Sequence, residues 1–361
     1  MSGGPHIKPG LNTVRMVMLD VVIALLPLVF VAWLAYGGLV LQQFGTAIAA
    51  AFLAEFIFSA LLLRKHDTLL DGSALVTALL LTFTISPITP WHITAFGAAC
   101  AVLFGKIVWG GLGKNRFNPA LVGREFMGVI FASVMSSPHL WKTGDLIKTP
   151  ATDLFPGLGE PWLSSYLSSL VYKTSGAMGE YSMVAIAAGG LYLLLRNRIT
   201  WHIPLALLVS LTLLGWWADS GSFRFSMAAV LLGTLFMATD MPSSPTTPQG
   251  KTYYGLMIGV TLCILIRGGV KHEYMSYSIL LLNGFSEAIS STFRTTPWGR
   301  ASDWPGFIEN VFLLTGKILF AAFAVLSFHY YGLTGYLLLA YVIYVTGKYA
   351  FSFSKRINHA I

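Results

Sequence analysis

The chain has 361 residues, of which 55% are hydrophobic and only 11% are charged, and its mean hydropathy is +0.69. Soluble domains usually carry about 25% charged residues, so this chain has too little polar surface to cover a water-soluble globule. The composition therefore predicts an all-α bundle of transmembrane helices, a polytopic protein for which the lipid bilayer acts as solvent.

Apolar segments follow one another along nearly the whole chain. A helix that spans a bilayer needs roughly 20 mostly apolar residues, and we predict roughly ten to twelve such spans on that basis. The predicted spans cover residues 15–36, 43–63, 72–87, 91–110, 119–135, 181–197, 202–218, 224–239, 253–270, 274–290, 308–328 and 331–350.

Two polar stretches interrupt this pattern. Residues 136–180 are rich in Ser, Pro and Gly and are predicted to form an extramembrane loop, and the stretch MPSSPTTPQGK at 241–251 contains too much proline for a helix. If the N terminus is cytoplasmic, most Lys and Arg residues fall in cytoplasmic segments, in agreement with the positive-inside rule. We therefore predict that both termini are cytoplasmic and that the 136–180 loop lies on the outer side.

The positive-inside rule also explains the formal net charge of +8. The Lys and Arg residues lie in short loops between apolar segments and not in one run, so no nucleic-acid partner is predicted. The two cysteines, Cys100 and Cys263, lie inside apolar segments and form no CxxC or other ligand spacing. A metal ion or iron–sulfur cluster held by this chain alone is therefore not predicted.

Several charged residues lie within or beside the predicted spans, where charges are costly, usually face the bundle interior and are often functional. They are Asp20, Glu55, Lys106, Arg124, Glu125, Asp240 and Glu287. For Asp20, Glu55 and Asp240, the sequence is compatible both with a place on an ion or proton path and with a hydrogen bond that packs helices together. Arg124 enters the fifth span shortly after Asn118-Pro119, and is either an interfacial residue or an interior group.

Four segments, in this order along the chain, resemble a single protein family. They are DGSALVTALLL at 71–81, GGLGKNRFNPALVG at 110–123, the block from GEYS at 179 to WHIP at 204, and FMATD at 236–240 followed by SPTTP at 244–248. Together they resemble the membrane component shared by two respiratory complexes. It is called RnfD in the Rnf complex and NqrB in the sodium-pumping NADH:quinone reductase.

The resemblance implies a subunit that carries FMN, joined through its phosphate to a threonine on the outer side of the membrane. In the family this threonine ends an Asp-x-x-Ser/Thr-x-Ala-Thr motif, and the nearest match here is DLIKTPAT at 145–152. Asp145, Ala151 and Thr152 would belong to the motif, with Thr152 as the ester acceptor. Its hydroxyl would displace AMP from FAD on a dedicated flavin transferase, because an unactivated hydroxyl is a poor nucleophile.

The chain departs from the family pattern in the flavin motif and at its C terminus. Asp145 stands one residue further from Thr152 than in the family, and Pro150 occupies a position often held by glycine. The segment SGAM at 175–178 resembles the motif but ends in methionine, which has no hydroxyl to esterify. We also divide the chain into a family-like membrane domain, residues 1–290, and a C-terminal extension, residues 291–361, with two further apolar segments.

The resemblance favours an electron-transfer subunit of a Na⁺- or H⁺-translocating oxidoreductase complex in the inner membrane, of the RnfD kind, with the other subunits of that complex as partners. An NqrB-like role is the alternative, because NPALVGR at 118–124 looks closer to that branch. A secondary transporter without redox chemistry is a further alternative, given the uneven spans and charged residues, although we find no convincing inverted repeat. Non-covalent riboflavin is also implied, without assigned residues.

Overall fold

The computed structural model describes residues 14–64, 68–146, 176–217, 225–294 and 304–358. Within these ranges the chain forms helices and turns and contains no strand. We number twelve principal helices in chain order. They are α1 Val14–Tyr36, α2 Gly38–Phe58, α3 Ser73–Phe83, α4 Trp91–Val102, α5 Pro119–Ile130, α6 Met183–Leu195, α7 His202–Trp217, α8 Met227–Leu232, α9 Pro248–Arg267, α10 Tyr274–Thr292, α11 Trp304–Tyr330 and α12 Thr334–Asn358.

Three helices end in a π turn, in which backbone hydrogen bonds join residues five apart instead of four. Ser59–Leu63 continues α2, Leu103–Ile107 continues α4 and Gly233–Met237 continues α8. Such turns are rare and frequently occur at functional sites. Each of them carries or lies close to a charged residue named in the sequence analysis, Glu55 before the first, Lys106 within the second and Asp240 after the third.

The predicted all-α membrane bundle is confirmed. Among the described residues, three helices are long and apolar enough by length and composition to cross a bilayer, namely Val14–Tyr36, Gly38–Leu63 and Trp304–Tyr330, and five more apolar helices are shorter. Every predicted span overlaps one of the twelve helices. One prediction was wrong in part, because α9 begins at Pro248, inside the stretch 241–251 that was predicted to be non-helical.

The reason is positional. Proline is well tolerated in the first turn of a helix, where its missing N–H would have no intrahelical partner. The Thr247 side chain caps the helix by accepting a hydrogen bond from the backbone N–H of Gly250. The proline-rich stretch therefore separates α8 from α9 and also supplies the first turn of α9.

The first ten helices form two halves with the same succession of elements. The second helix of each half packs against the fourth, α2 on α4 and α7 on α9. The first helices of the two halves, α1 and α6, run in opposite directions, because Asp20 near the start of α1 accepts a hydrogen bond from Tyr192 near the end of α6, at 3.0 Å. At the other end of α1, the ring of Tyr36 packs on that of Tyr181, with centroids 5.6 Å apart. This inverted arrangement was not predicted.

The close approach of α1 and α6 depends on Gly189, at which an added Cβ would lie 2.3 Å from the carbonyl oxygen of Ala24. We expect Gly189→Ala to force the helices apart and to lower the free energy of unfolding by about 1–3 kcal/mol, measured as a lower Tm in detergent. Gly45→Ala is the matched control, since a Cβ there meets no atom within 4 Å and alanine favours helix. Equal Tm values for the two variants would contradict the expectation.

Candidate functional site

Two cavities lie on opposite sides of the short helices α3 and α8. The first, which we call the Arg124 cavity, has a volume of about 330 Å³, and residues from the end of α3, from α8 and from the π turn that continues α8 line it. The second, the Lys106 cavity, has a volume of about 250 Å³, and residues from α3, from the π turn that continues α8 and from the segment after that turn line it. Neighbouring residues of α5 separate them, because Leu121 lines the first and Ala120 the second.

Arg124 is the buried cation of the first cavity, with only 9% of its surface exposed. Its guanidinium donates hydrogen bonds to the carbonyl oxygens of Thr84 and His272, the latter at 2.8 Å. Thr84 follows the last residue of α3, where helical carbonyls lack partners and the helix dipole favours a cation. Of the two alternatives left open for Arg124, the structure supports the interior group, and Arg124 joins α5 to α3 and to the turn before α10.

Aromatic rings line the same cavity. The rings of Trp141 and His272 are stacked, with centroids 4.5 Å apart and an angle of 11° between their planes, and Arg124 lies 5.7 Å from the Trp141 ring centroid. Burial lowers the pKa of His272 in the loop between α9 and α10, which favours the neutral ring at pH 7. Lys271, Tyr274 and Glu180 complete the polar lining. The cavity thus combines flat aromatic surfaces with two cationic side chains.

Lys106 and Glu55 form a buried ion pair in the first half of the bundle. The Lys106 Nζ lies 2.6 Å from the Glu55 Oε1, and these side chains are 2% and 0% exposed. Lys106 also donates a hydrogen bond to the Ser73 hydroxyl, and its Nζ lies 3.9 Å from the Asp71 Oδ2. The buried Glu55 Oε2 has no hydrogen-bond partner among the described residues.

Asp20 is paired with two cations that follow α6. Its carboxylate accepts hydrogen bonds from Arg198 at 2.5 Å and from Arg196 at 3.3 Å, in addition to the bond from Tyr192. The Asp20 side chain is 5% exposed. Arg198 in turn lines the Lys106 cavity. Asp20 therefore affects the charge of that cavity by pairing with Arg198.

Asp240 lines the Lys106 cavity directly. Its Oδ2 accepts hydrogen bonds from Asn115 Nδ2 at 3.3 Å and from the Ser243 hydroxyl at 2.9 Å. The three carboxylates predicted for an ion path therefore lie around one cavity, Asp240 in its wall and the other two behind their cationic partners. Whether they conduct an ion stays a prediction.

Other charged residues of the sequence analysis lie elsewhere. The Glu287 side chain is 77% exposed and lies 3.5 Å from Arg116, so the expectation that it faces the bundle interior was wrong. Glu125 Oε1 accepts a hydrogen bond from the Ser276 hydroxyl. Exposure at Glu287 arises because its position on α10 faces away from the neighbouring helices, which the sequence does not reveal.

Sequence reasoning missed a buried amide at the centre of the second half. The Asn283 amide nitrogen donates hydrogen bonds to Tyr254 Oη at 2.9 Å and to the Ser243 carbonyl at 3.0 Å. Its Oδ1 accepts from the backbone N–H of Asn118 at 3.4 Å. The only signal in the sequence is an amide inside an apolar span, because the partners come from other helices.

Of the flavin-motif residues, Thr152 and Ala151 lie outside the described residues, as does Ser175 of the SGAM segment. Asp145 belongs to the short turn Gly144–Leu146. The described residues on either side of 147–175 come together beside the Arg124 cavity. The backbone N–H of Gly176, which lines the cavity, donates a hydrogen bond to the Thr143 hydroxyl at 3.2 Å.

Comparisons with known proteins identify the family to which the sequence is similar. The sequence model of the NQR2, RnfD, RnfE family matches residues 1–299. The D subunit of an ion-translocating oxidoreductase complex from Ectopseudomonas mendocina is 31% identical over 337 residues, which cover 84% of this chain and 96% of that protein.

Two relatives carry more specific names. The D subunit of the Na⁺-translocating ferredoxin:NAD⁺ oxidoreductase complex of Acetobacterium woodii is 34% identical, with 78% of this chain and 90% of that protein covered. The D subunit of the proton-translocating ferredoxin:NAD⁺ oxidoreductase complex of Clostridium ljungdahlii is 31% identical, with 83% and 96% covered. Since the family model spans most of the chain and these relatives align over nearly their full length, this multi-pass membrane protein belongs to the NQR2, RnfD, RnfE family.

Proposed function

We propose that this chain is the membrane electron-transfer subunit of a redox-driven, ion-translocating oxidoreductase complex, equivalent to the D subunit of Rnf complexes. The observation that carries the proposal is the alignment with named D subunits over almost their whole length. These relatives include both a sodium- and a proton-translocating complex, so we propose Na⁺ or H⁺ without choosing between them. The other subunits of such a complex would be its partners.

Two alternatives remain. An NqrB-like role in a Na⁺-translocating NADH:quinone reductase is compatible with the family, whose description includes both branches. A secondary transporter is compatible with the inverted five-helix halves, because many transporters are built in this way. The names of the relatives favour the first proposal over both.

Covalent FMN is part of the proposal, and the Arg124 cavity supports it. Its volume of about 330 Å³ lies in the range of small-molecule sites, roughly 300–1,000 Å³. Trp141 and Tyr274 offer flat surfaces for an aromatic ring system, and Arg124 and Lys271 offer positive charge for an anionic ring or phosphate. FMN bound there would supply one- and two-electron transfer, while these residues would orient it and set the local charge.

Chain length is also compatible with attachment at Thr152. Thr152 lies six positions after Leu146 along the chain, which corresponds to at most about 20 Å of extended chain. Leu146 is the last residue of the turn Gly144–Leu146. The residue before this turn, Thr143, is hydrogen-bonded to Gly176, which lines the Arg124 cavity. A flavin transferase would be required for maturation, because the activation of the hydroxyl would come from that enzyme. Riboflavin stays a prediction without assigned residues.

For ion movement we propose the Lys106 cavity. Asp240 in its wall, and Glu55 and Asp20 behind Lys106 and Arg198, would provide exchangeable charge along the path. Buried ion pairs are costly to maintain, so their presence in a bundle of apolar helices favours a functional use. The unpartnered Glu55 Oε2 is an acceptor that a proton or a cation could use.

The proposal is tested with membrane vesicles from cells that lack this chain, complemented with the wild-type chain or with an empty vector. We expect only the complemented vesicles to couple reduction of NAD⁺ by ferredoxin to formation of an ion gradient. Coupled reduction of quinone by NADH would instead favour the NqrB-like alternative. Ion transport without any dependence on electron donors would favour the transporter and contradict the proposal.

A further inference from the structure

The last helix contacts two of the three π turns. The Tyr341 hydroxyl, on α12, donates a hydrogen bond of 2.9 Å to the carbonyl oxygen of Phe104. The Tyr349 hydroxyl, about two helical turns further along α12, donates one of 2.7 Å to the carbonyl oxygen of Leu62. Phe104 lies in the π turn that ends α4, and Leu62 in the π turn that ends α2.

Both hydrogen bonds are made at helix ends, where backbone carbonyl oxygens require donors from outside the helix. The register of backbone hydrogen bonds shifts by one residue across a π turn, and the last carbonyls of any helix lack intrahelical partners. Tyr341 is held in place, because its oxygen accepts a hydrogen bond from Trp109 Nε1 at 3.2 Å. Lys348, one residue before Tyr349, lies 4.4 Å above the Trp109 ring, a distance at which a cation is attracted to an aromatic face.

The same two turns position the buried ion pair. Lys106 is itself a residue of the turn Leu103–Ile107, and Glu55 lies one helical turn before Ser59–Leu63. The 2.6 Å contact between the two side chains therefore depends on how both turns are wound. A change of one residue in the register of either turn would rotate its side chains by about 100° around the helix axis.

We propose that α12 acts as a positioning element, in which Tyr341 and Tyr349 fix the two π turns and thereby hold Lys106 against Glu55. Residues 304–358 lie beyond the part of the chain that the family model matches, residues 1–299. The positioning element is thus an addition of this chain to the shared family domain. Its consequence for ion movement rests on the function proposed above for the Lys106 cavity.

The structural part is tested by amide hydrogen exchange on the purified full chain in detergent. In the variant Tyr341→Phe/Tyr349→Phe, which keeps both rings, we expect exchange in peptides covering 55–64 and 100–111 to become about fivefold faster, as the loss of a hydrogen bond allows. Tyr336→Phe is the matched control, because Tyr336 lies on the same helix and is 66% exposed. Equal exchange in the double variant, the control and the wild type would overturn the proposal.

The functional part is tested in vesicles that contain the assembled complex. We expect Tyr341→Phe/Tyr349→Phe to lower the number of ions moved per electron at least twofold, while electron transfer itself stays within the range of the Tyr336→Phe control. A purely structural weakening would reduce both rates together and leave the ratio unchanged, which would overturn the positioning role. Lys106→Met separates the two proposals: if it leaves the ratio unchanged, the ion path through this cavity is wrong, and amide exchange alone decides the role of α12.

Discussion

Replacement of Thr152 by valine is expected to remove all covalently bound flavin from the chain. Valine has nearly the shape of threonine but no hydroxyl. In the proposed maturation, the Thr152 oxygen forms a bond to the FMN phosphorus while the phosphorus–oxygen bond to AMP in FAD breaks, and the hydroxyl proton passes to a base of the transferase. Without the hydroxyl no ester can form. The measurement is flavin fluorescence of the denatured band after coexpression with the transferase.

The matched control is Thr174→Val, which removes a hydroxyl from the same loop next to the SGAM segment at 175–178. We expect its fluorescence to equal that of the wild type. Intact-mass analysis should show the wild-type chain heavier by the mass of FMN less one water, with the added mass on the peptide that contains Thr152. A fluorescent Thr152→Val band, or a label on another peptide, would show that the site is assigned wrongly.

Much of the fold was predictable because lipid solvent imposes a simple rule on sequence. Backbone groups must be satisfied within each spanning segment, so apolar stretches of sufficient length mark the helices, as they do for α1 and α11. Helix ends were less predictable, because they depend on capping. Pro248 considered without its neighbours predicts that no helix is present, but Thr247 caps the helix and Pro248 is the first residue of α9.

The arrangement around the two cavities could not be predicted from the sequence. Lys106 pairs with Glu55, which lies far away along the chain, and nothing in the local pattern of either helix specifies that partner. The same holds for Arg124, whose acceptors on Thr84 and His272 come from two other parts of the bundle. Charged residues inside apolar spans indicate that partners exist, but only helix packing determines which they are.

The inverted halves were missed for a related reason. An inverted repeat places equivalent helices in opposite orientations, and each helix then meets different neighbours and adapts its side chains to them. Asp20 and Tyr192, whose contact shows that α1 and α6 are antiparallel, do not resemble one another, so the sequence does not reveal this relation. The orientation of the bundle in the membrane, in contrast, is predicted by loop charge alone and stays a prediction.

Lys106→Met is expected to abolish ion movement and to destabilise the chain. The methionine leaves the Glu55 carboxylate, which is 0% exposed, without its cationic partner. Removal of one member of a buried pair costs about 3–5 kcal/mol, so we expect a markedly lower Tm in detergent. In vesicles with the assembled complex, we expect the ion gradient formed during electron transfer to disappear.

The double variant Glu55→Gln/Lys106→Met separates these two effects. It removes both charges, so the uncompensated carboxylate is gone and stability should return most of the way to the wild-type value, because neutral replacement of a buried pair is often tolerated. If the pair lies on the ion path, the gradient should stay absent despite the recovered stability. Recovery of stability and gradient together would show that the pair only packs the helices and would contradict the proposed path.

Arg116→Gln provides the control for loss of a cation near the same end of the bundle. Arg116 lies 3.5 Å from Glu287, and the two side chains are 27% and 77% exposed. Exposed pairs contribute roughly 0–1 kcal/mol because water and salt screen them, and the hydrogen bond from Arg116 to the Gly284 carbonyl oxygen, at 2.9 Å, contributes about 1 kcal/mol more. The Tm should therefore fall much less than in Lys106→Met, and the gradient should stay close to the wild-type value. If Arg116→Gln had an effect as large as that of Lys106→Met, the net charge at this end of the bundle, and not the buried pair, would govern ion movement.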